Sequence, residues 1–123
     1  MELAAATPHI EQPPASPVGC CPRYHEAVEL IGRRWTGAIV AVLLSAPAPL
    51  RFSQIGAAVP QLSDRLLCER VRELEERGVL QRLVEPGPPV RVTYELTEMG
   101  RDLLPALEAL AHWARRWLPA EPA

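Results

Sequence analysis

The side chains able to do chemistry in this 123-residue chain are few: three cysteines, three histidines and thirteen arginines. Cys20 and Cys21 are adjacent and cannot bridge each other without strain. No Cys-x-x-Cys spacing occurs, and His9, His25 and His112 form no ligand pattern, so no metal is expected. There is no Gly-rich phosphate loop, no Ser/His/Asp arrangement and no carboxylate pair away from helix faces. An enzyme, a catalytic residue and a cofactor are therefore not expected.

Arginine remains. All 13 basic side chains are arginine, none is lysine, and 15 acids bring the net charge to −2. That sum gives no hint of a polyanionic partner, but the distribution does. Residues 1–32 carry a net −3, residues 33–91 a net +3 from nine arginines and six acids, and residues 92–123 a net −2. A planar guanidinium donates two parallel hydrogen bonds, which suits phosphates and base edges. Codons rich in G and C would account for the missing lysine, the 14 prolines and the 17 alanines. It does not explain why the arginines cluster.

Elements must position them. Residues 1–19, with four prolines and four alanines, are expected to form a flexible tail, and the folded domain to span 20–118. Pro22 opens a predicted helix over 23–31 that Gly32 ends. The run Ala38 to Leu44 is apolar nearly all round, which predicts a buried helix over about 36–46, ended by Pro47 and Pro49. Leu50-Arg51-Phe52 predicts a very short strand. Ser53 then reads as the N-cap of a helix to residue 58. Ser63 reads as the N-cap of the next, over about 63–77, with Gly78 as its stop. Two helices joined by Val59 to Leu62 make a helix-turn-helix. Residues 79–96 then turn β-branched around a Glu85-Pro86-Gly87-Pro88-Pro89 tip, which predicts a hairpin. Thr97 caps a last helix over about 98–118, in which Pro105 is a potential kink. The predicted class is mainly α with a small β-hairpin, a winged helix-turn-helix.

On the helix at 63–77, Leu67, Val71 and Leu74 share one face, and Arg65, Glu69, Arg72 and Glu76 the other. The outer face reads either as a solvated surface of pairs such as Arg65–Glu69 and Arg72–Glu76 or as a recognition surface for the major groove. Arg91 beside the wing tip and Arg82 on the opposing strand favour DNA. Glu69, Glu73, Glu75 and Glu76 keep open an alternative, a winged helix that binds protein and not DNA.

In order and spacing, Cys21-Pro22, Leu30-Ile31-Gly32-Arg33-Arg34-Trp35-Thr36, Leu50-Arg51-Phe52-Ser53-Gln54-Ile55, Leu62-Ser63-Asp64-Arg65-Leu66-Leu67, Val71-Arg72-Glu73-Leu74-Glu75 and Pro88 to Thr97 resemble the HxlR-type winged helix-turn-helix regulators. The resemblance covers about residues 20–117. It implies a dimeric bacterial transcription factor, most often a repressor, on an inverted-repeat operator of double-stranded DNA. It implies DNA contacts for Arg34, Arg51, Ser53, Ser63, Arg65, Cys68, Arg72 and Arg91. Cys68 stands where the family commonly has Thr, and Asp64 where an amide or neutral residue is common. Some relatives use the Cys before Pro22's equivalent as a redox or electrophile sensor. Cys21 holds that position, at a helix N-terminus that favours thiolate; packing is the alternative reading.

Leu103, Leu107, Leu110, Ala114 and Trp117 form a heptad-like seam, with Trp113 beside it. These residues either close the protomer's core or, with Leu103, Leu107, Leu110, Trp113 and Trp117 at a two-fold interface, pair the first and last helices of two copies. A pocket between the last helix and the core is a candidate site for a small aromatic effector. No 18-residue apolar run occurs and residues 1–19 lack a basic n-region followed by an apolar h-region, so neither a membrane partner nor secretion is expected and the cytoplasm is the expected location.

Overall fold

Pro22 has the φ of a helix start and no N–H to leave unsatisfied, and α1 (Pro22–Gly32) begins on it. The computed structural model describes residues 21–120; the expected tail and Cys20 lie outside the described residues. α1 buries only Leu30, and Gly32 is its last residue. A turn over 33–35, with Trp35 at a φ of 78°, leads into α2 (Thr36–Ser45). In α2 Thr36, Ile39, Val40 and Leu43 are buried, while Ala41 faces out and Val42 and Leu44 are half-buried.

α3 (Phe52–Ala58) starts one residue earlier than expected. Ser53 does not cap it. Gln54 does, because its Oε1 accepts the Arg51 N–H at 2.8 Å while its own N–H donates to the Arg51 carbonyl at 2.9 Å. With the cap N–H satisfied by an amide, Phe52 enters the helix and Ser53 sits exposed in its first turn. α4 (Asp64–Glu76) is capped by Ser63, whose Oγ accepts from Leu66 N–H at 3.1 Å. It ends where Gly78 takes a φ of 83°, which lets Val79 N–H reach the Leu74 carbonyl at 2.9 Å and Gly78 N–H the Glu75 carbonyl at 3.1 Å.

β1 (Leu80–Glu85) and β2 (Arg91–Leu96) pair antiparallel from Leu80↔Leu96 to Glu85↔Arg91. The strand expected at Leu50–Phe52 shrinks to one bridge, Leu50 with Tyr94, held by bonds of 3.0 and 2.7 Å. It fastens the start of the helix-turn-helix to the wing.

The single helix expected over 98–118 is two: α5 (Glu98–Arg101), capped by Thr97, and α6 (Leu104–Trp117). Pro105 is the cause. It has no N–H for the Arg101 carbonyl, and its ring would strike that carbonyl in a continuous helix. Leu103 N–H turns back to Gly100 at 3.1 Å, and Pro105 falls in the first turn of α6, where it is tolerated.

Ile39, Val40, Ile55, Leu67, Leu74, Val79 and Leu80 are sealed from solvent at the centre of the core. Each such Leu or Ile contributes about 1.5–3 kcal/mol. No helix among the described residues is long and apolar enough to cross a membrane.

Candidate nucleic-acid interface

The core decides which way α4 faces. Leu67, Val71 and Leu74 are buried, so Arg65, Cys68, Glu69, Arg72 and Glu76 must point outward, and all are exposed. Ser63, the cap, is exposed at the same helix end. Asp64 in the first turn complements the positive end of the helix dipole.

The structure sorts the arginines. Arg33 reaches Glu73 at 3.1 Å, and Arg77 reaches Glu26 at 2.7 Å, tying α4 to the α1 segment. Arg70, with its side chain 11% exposed, donates from Nε to the Arg34 carbonyl at 3.1 Å and lies 4.0 Å from Glu73. These three hold the fold, a role that counting charges does not reveal. Glu73 is thereby committed inside the domain, which weakens the protein-binding reading of this helix.

The other basic side chains stay outside. Arg65 meets Glu69 at 3.6 Å with its own side chain 90% exposed. The expected Arg72–Glu76 pair does not form, and Arg72 has no ion-pair partner among the described residues; an exposed i,i+4 pair is worth only about 0.3–0.5 kcal/mol, so one such pair closes on this helix and the other stays open. Arg34 is exposed and lies over the Trp35 ring at 5.1 Å, while its carbonyl binds Arg70, which places the turn beside α4. Arg51 and Ser53 are exposed at the start of α3, next to the bridge that joins Leu50 to the wing. Arg91 faces Glu85 across the wing end at 3.9 Å, and Arg82 is exposed on β1. α4 therefore collects Ser63, Arg65, Cys68 and Arg72 on one surface. Arg34 flanks it through Arg70, and Arg51 and Arg91 belong to the wing side.

Cys21 is half-buried at the N-cap of α1. Its sulfur makes no formal cap hydrogen bond, but the backbone N–H of Tyr24, and after it that of Arg23, favour the thiolate and hold the thiol below its ordinary pKa. Cys68 is exposed in mid-helix.

The seam of the last helix divides. Leu103 and Leu107 pack against the protomer's own core. Leu110, Trp113, Trp117 and Leu118 are more than half exposed, and Tyr24 and Val28 stand out from α1. A cavity of about 320 Å³ lies between α2, β2 and the last helices, lined by Leu43, Pro47, Tyr94, Arg101 and Leu104 among others.

Exposed arginines on the second helix of a helix-turn-helix, beside a hairpin that exposes Arg82 and Arg91, fit a winged helix-turn-helix DNA-binding protein. The chain belongs to the HxlR-like helix-turn-helix family, whose profile matches residues 30–122. It is 46% identical over 98 residues to the HTH-type transcriptional regulator YvaP of Bacillus subtilis, across 80% of this chain and 89% of that protein. It is 39% identical over 94 residues to the HTH-type transcriptional regulator YodB of the same organism, across 76% and 82%. The reduced form of YodB matches in structure with a TM-score of 0.73 at 36% identity, covering 83% of this chain and 98% of that one. Its quinone-bound form gives 0.68 at 35%, over 79% and 99%. The redox regulator HypR in its oxidized form gives 0.71 at 29%, over 81% and 100%. The chain is a DNA-binding transcriptional regulator and not an enzyme.

Proposed function

We propose that this regulator works in the cytoplasm as a homodimeric repressor on an inverted-repeat operator, with α4 in the major groove and the wing on the flanking backbone. The observation that carries the reading is the outer face of α4: its apolar side is used up in the core, which leaves Arg65 and Arg72 exposed with Arg91 on the neighbouring hairpin. Ser63, Cys68, Arg34, Arg51 and Ser53 complete the contact set. The domain acting on DNA spans 20–118, with the recognition helix over 63–77, the wing over 79–96 and dimer contacts after 98. Two copies join through Leu110, Trp113 and Trp117 on α6 and the exposed side of α1, supported from below by Leu103 and Leu107. Such a pairing sets two recognition helices about one DNA turn, roughly 34 Å, apart.

The effector reading rests on Cys21. An electrophile such as a quinone is attacked by the thiolate: a sulfur–carbon bond forms, and the ring takes up a proton to become a hydroquinone. The added bulk at the start of α1 changes the dimer and releases DNA. That YodB is known in a quinone-bound form and HypR in an oxidized form supports this class of effector.

Fluorescence anisotropy on operator and random duplexes, titrated with salt, tests the DNA reading. Arg72→Ala lowers operator affinity by about 1–3 kcal/mol if it reads a base, and Arg91→Ala weakens both duplexes alike. Binding by the parent protein falls steeply as salt rises. Unchanged affinity in both variants refutes the assignment. The sensor reading is abandoned if Cys21→Ser leaves the response to quinones intact.

A further inference from the structure

Glu69 stands in the middle of the outer face of α4, between Arg65 and Arg72, and is half exposed. A carboxylate placed there confronts a polyanion when the helix lies in the groove. It weakens binding unless it accepts a hydrogen bond from the DNA. The base-edge donors in the major groove are the amino groups of cytosine and adenine.

Glu69 does not stand alone. Its Oε2 lies 3.6 Å from Nε of Arg65. The pairs Arg33–Glu73 and Arg77–Glu26 fasten α4 to the α1 segment, whereas Arg65–Glu69 joins the helix only to itself, on the side turned away from the core. Pairing through Nε leaves both Nη groups of Arg65 to donate. The two side chains together then offer two donors and an acceptor in a row. Read from purine to pyrimidine, one G·C pair offers the complement: acceptors at guanine N7 and O6, then the donor at cytosine N4.

We propose that Arg65 and Glu69 act as one unit that reads a single G·C pair, Arg65 on the guanine and Glu69 on the cytosine amino group. Glu69 is the specificity-determining member. An A·T pair sets thymine O4, an acceptor, against its carboxylate, and a reversed pair sets the cytosine donor against the guanidinium. The inference rests on α4 being the helix that reads DNA.

The test selects a randomised duplex library on the parent protein, Glu69→Gln and Arg72→Ala, and compares base preference at every position. The parent protein prefers G·C at one position of each half-site. Glu69→Gln relaxes the preference at that position alone, because an amide accepts from cytosine N4 but also donates to thymine O4, which a carboxylate cannot do, and relative affinity there changes by about tenfold. If Glu69→Gln changes no position while Arg72→Ala changes one, Arg65–Glu69 is only a surface ion pair and the proposal is wrong, with α4 still the reading helix. If neither variant changes any position, the assignment of α4 fails and the proposal falls with it.

Discussion

Gly100→Ala strikes the joint between the wing and the last two helices. Gly100 is the buried third residue of α5. A Cβ added there would lie 2.9 Å from Cδ2 of Leu96 and far inside contact distance of the Val79 carbonyl oxygen. That oxygen is not free to retreat, because it accepts from Thr97 N–H at 3.0 Å while the Thr97 hydroxyl donates to the adjoining Gly78 carbonyl. Val79 is itself held by its N–H on the Leu74 carbonyl, at the exit of α4. Relief requires α5 to move off and lose both Thr97 bonds, at about 1 kcal/mol each. Residual overpacking adds about 1–3 kcal/mol. The sum, roughly 3–5 kcal/mol, corresponds to a fall in melting temperature of about 12–30 °C for a domain of this size. Thermal unfolding followed by circular dichroism measures it. Gly32→Ala is the control, since a Cβ at Gly32 meets nothing within 4 Å. A Gly100→Ala protein that melts within about 2 °C of the parent would refute the reasoning, because it would mean the Val79 carbonyl is not a fixed wall.

Three further outcomes follow from the site. In a protein whose only thiol is Cys21 (Cys20→Ser, Cys68→Ser), alkylation of the native state rises with pH through a midpoint below that of the same protein in denaturant. The sign follows from the backbone N–H groups of Tyr24 and Arg23, which favour the ionised form only in the fold; equal midpoints would remove the physical basis for Cys21 as a sensor. Trp113→Ser with Trp117→Ser leaves the circular-dichroism spectrum of the folded protomer unchanged, since the two rings are 53% and 62% exposed, but shifts sedimentation to a monomer. A parent protein that already sediments as a monomer at micromolar concentration would refute the dimer. Arg33→Ala and Glu73→Ala together cost less than the sum of the single changes by about 0.2–1 kcal/mol, measured by urea unfolding in a double-mutant cycle; additive losses would mean the pair does not hold α1 to α4.

What could be read from the residues alone depended on whether chemistry or geometry decided. α4 was legible because Leu67, Val71 and Leu74 share a helical face, and because Ser63 and Gly78 mark its ends with the chemistry that caps need. The wing was legible from its β-branched strands and Pro-rich tip. The break at Asp102–Leu103 was harder. Pro105 has the same sequence signature whether it kinks one helix or opens a second, and the Leu103 N–H bond to Gly100 decides. Ser53 misled for a related reason: a serine before an apolar run reads as a cap, yet Gln54 supplies the acceptor one residue further on.

The arginines show the same division with consequences for DNA. Composition gives nine of them in a +3 segment, but it treats every guanidinium as equal. Arg33, Arg70 and Arg77 are tied to Glu73, the Arg34 carbonyl and Glu26, so three of the nine serve the fold. Asp64, Glu69 and Glu76 are exposed on or beside the surface proposed to face DNA. These acids offset part of the attraction of the arginines for phosphates, so a random duplex is held less tightly than the arginine count alone suggests. In the proposed dimer, operator binding then comes from a few aligned contacts, made once by each of the two domains. A protein built this way loses its site steeply when one contact is removed or when the two helices move out of register. Cys21, at the start of the mostly exposed helix α1 that Arg33 and Arg77 join to α4, is well placed to move them.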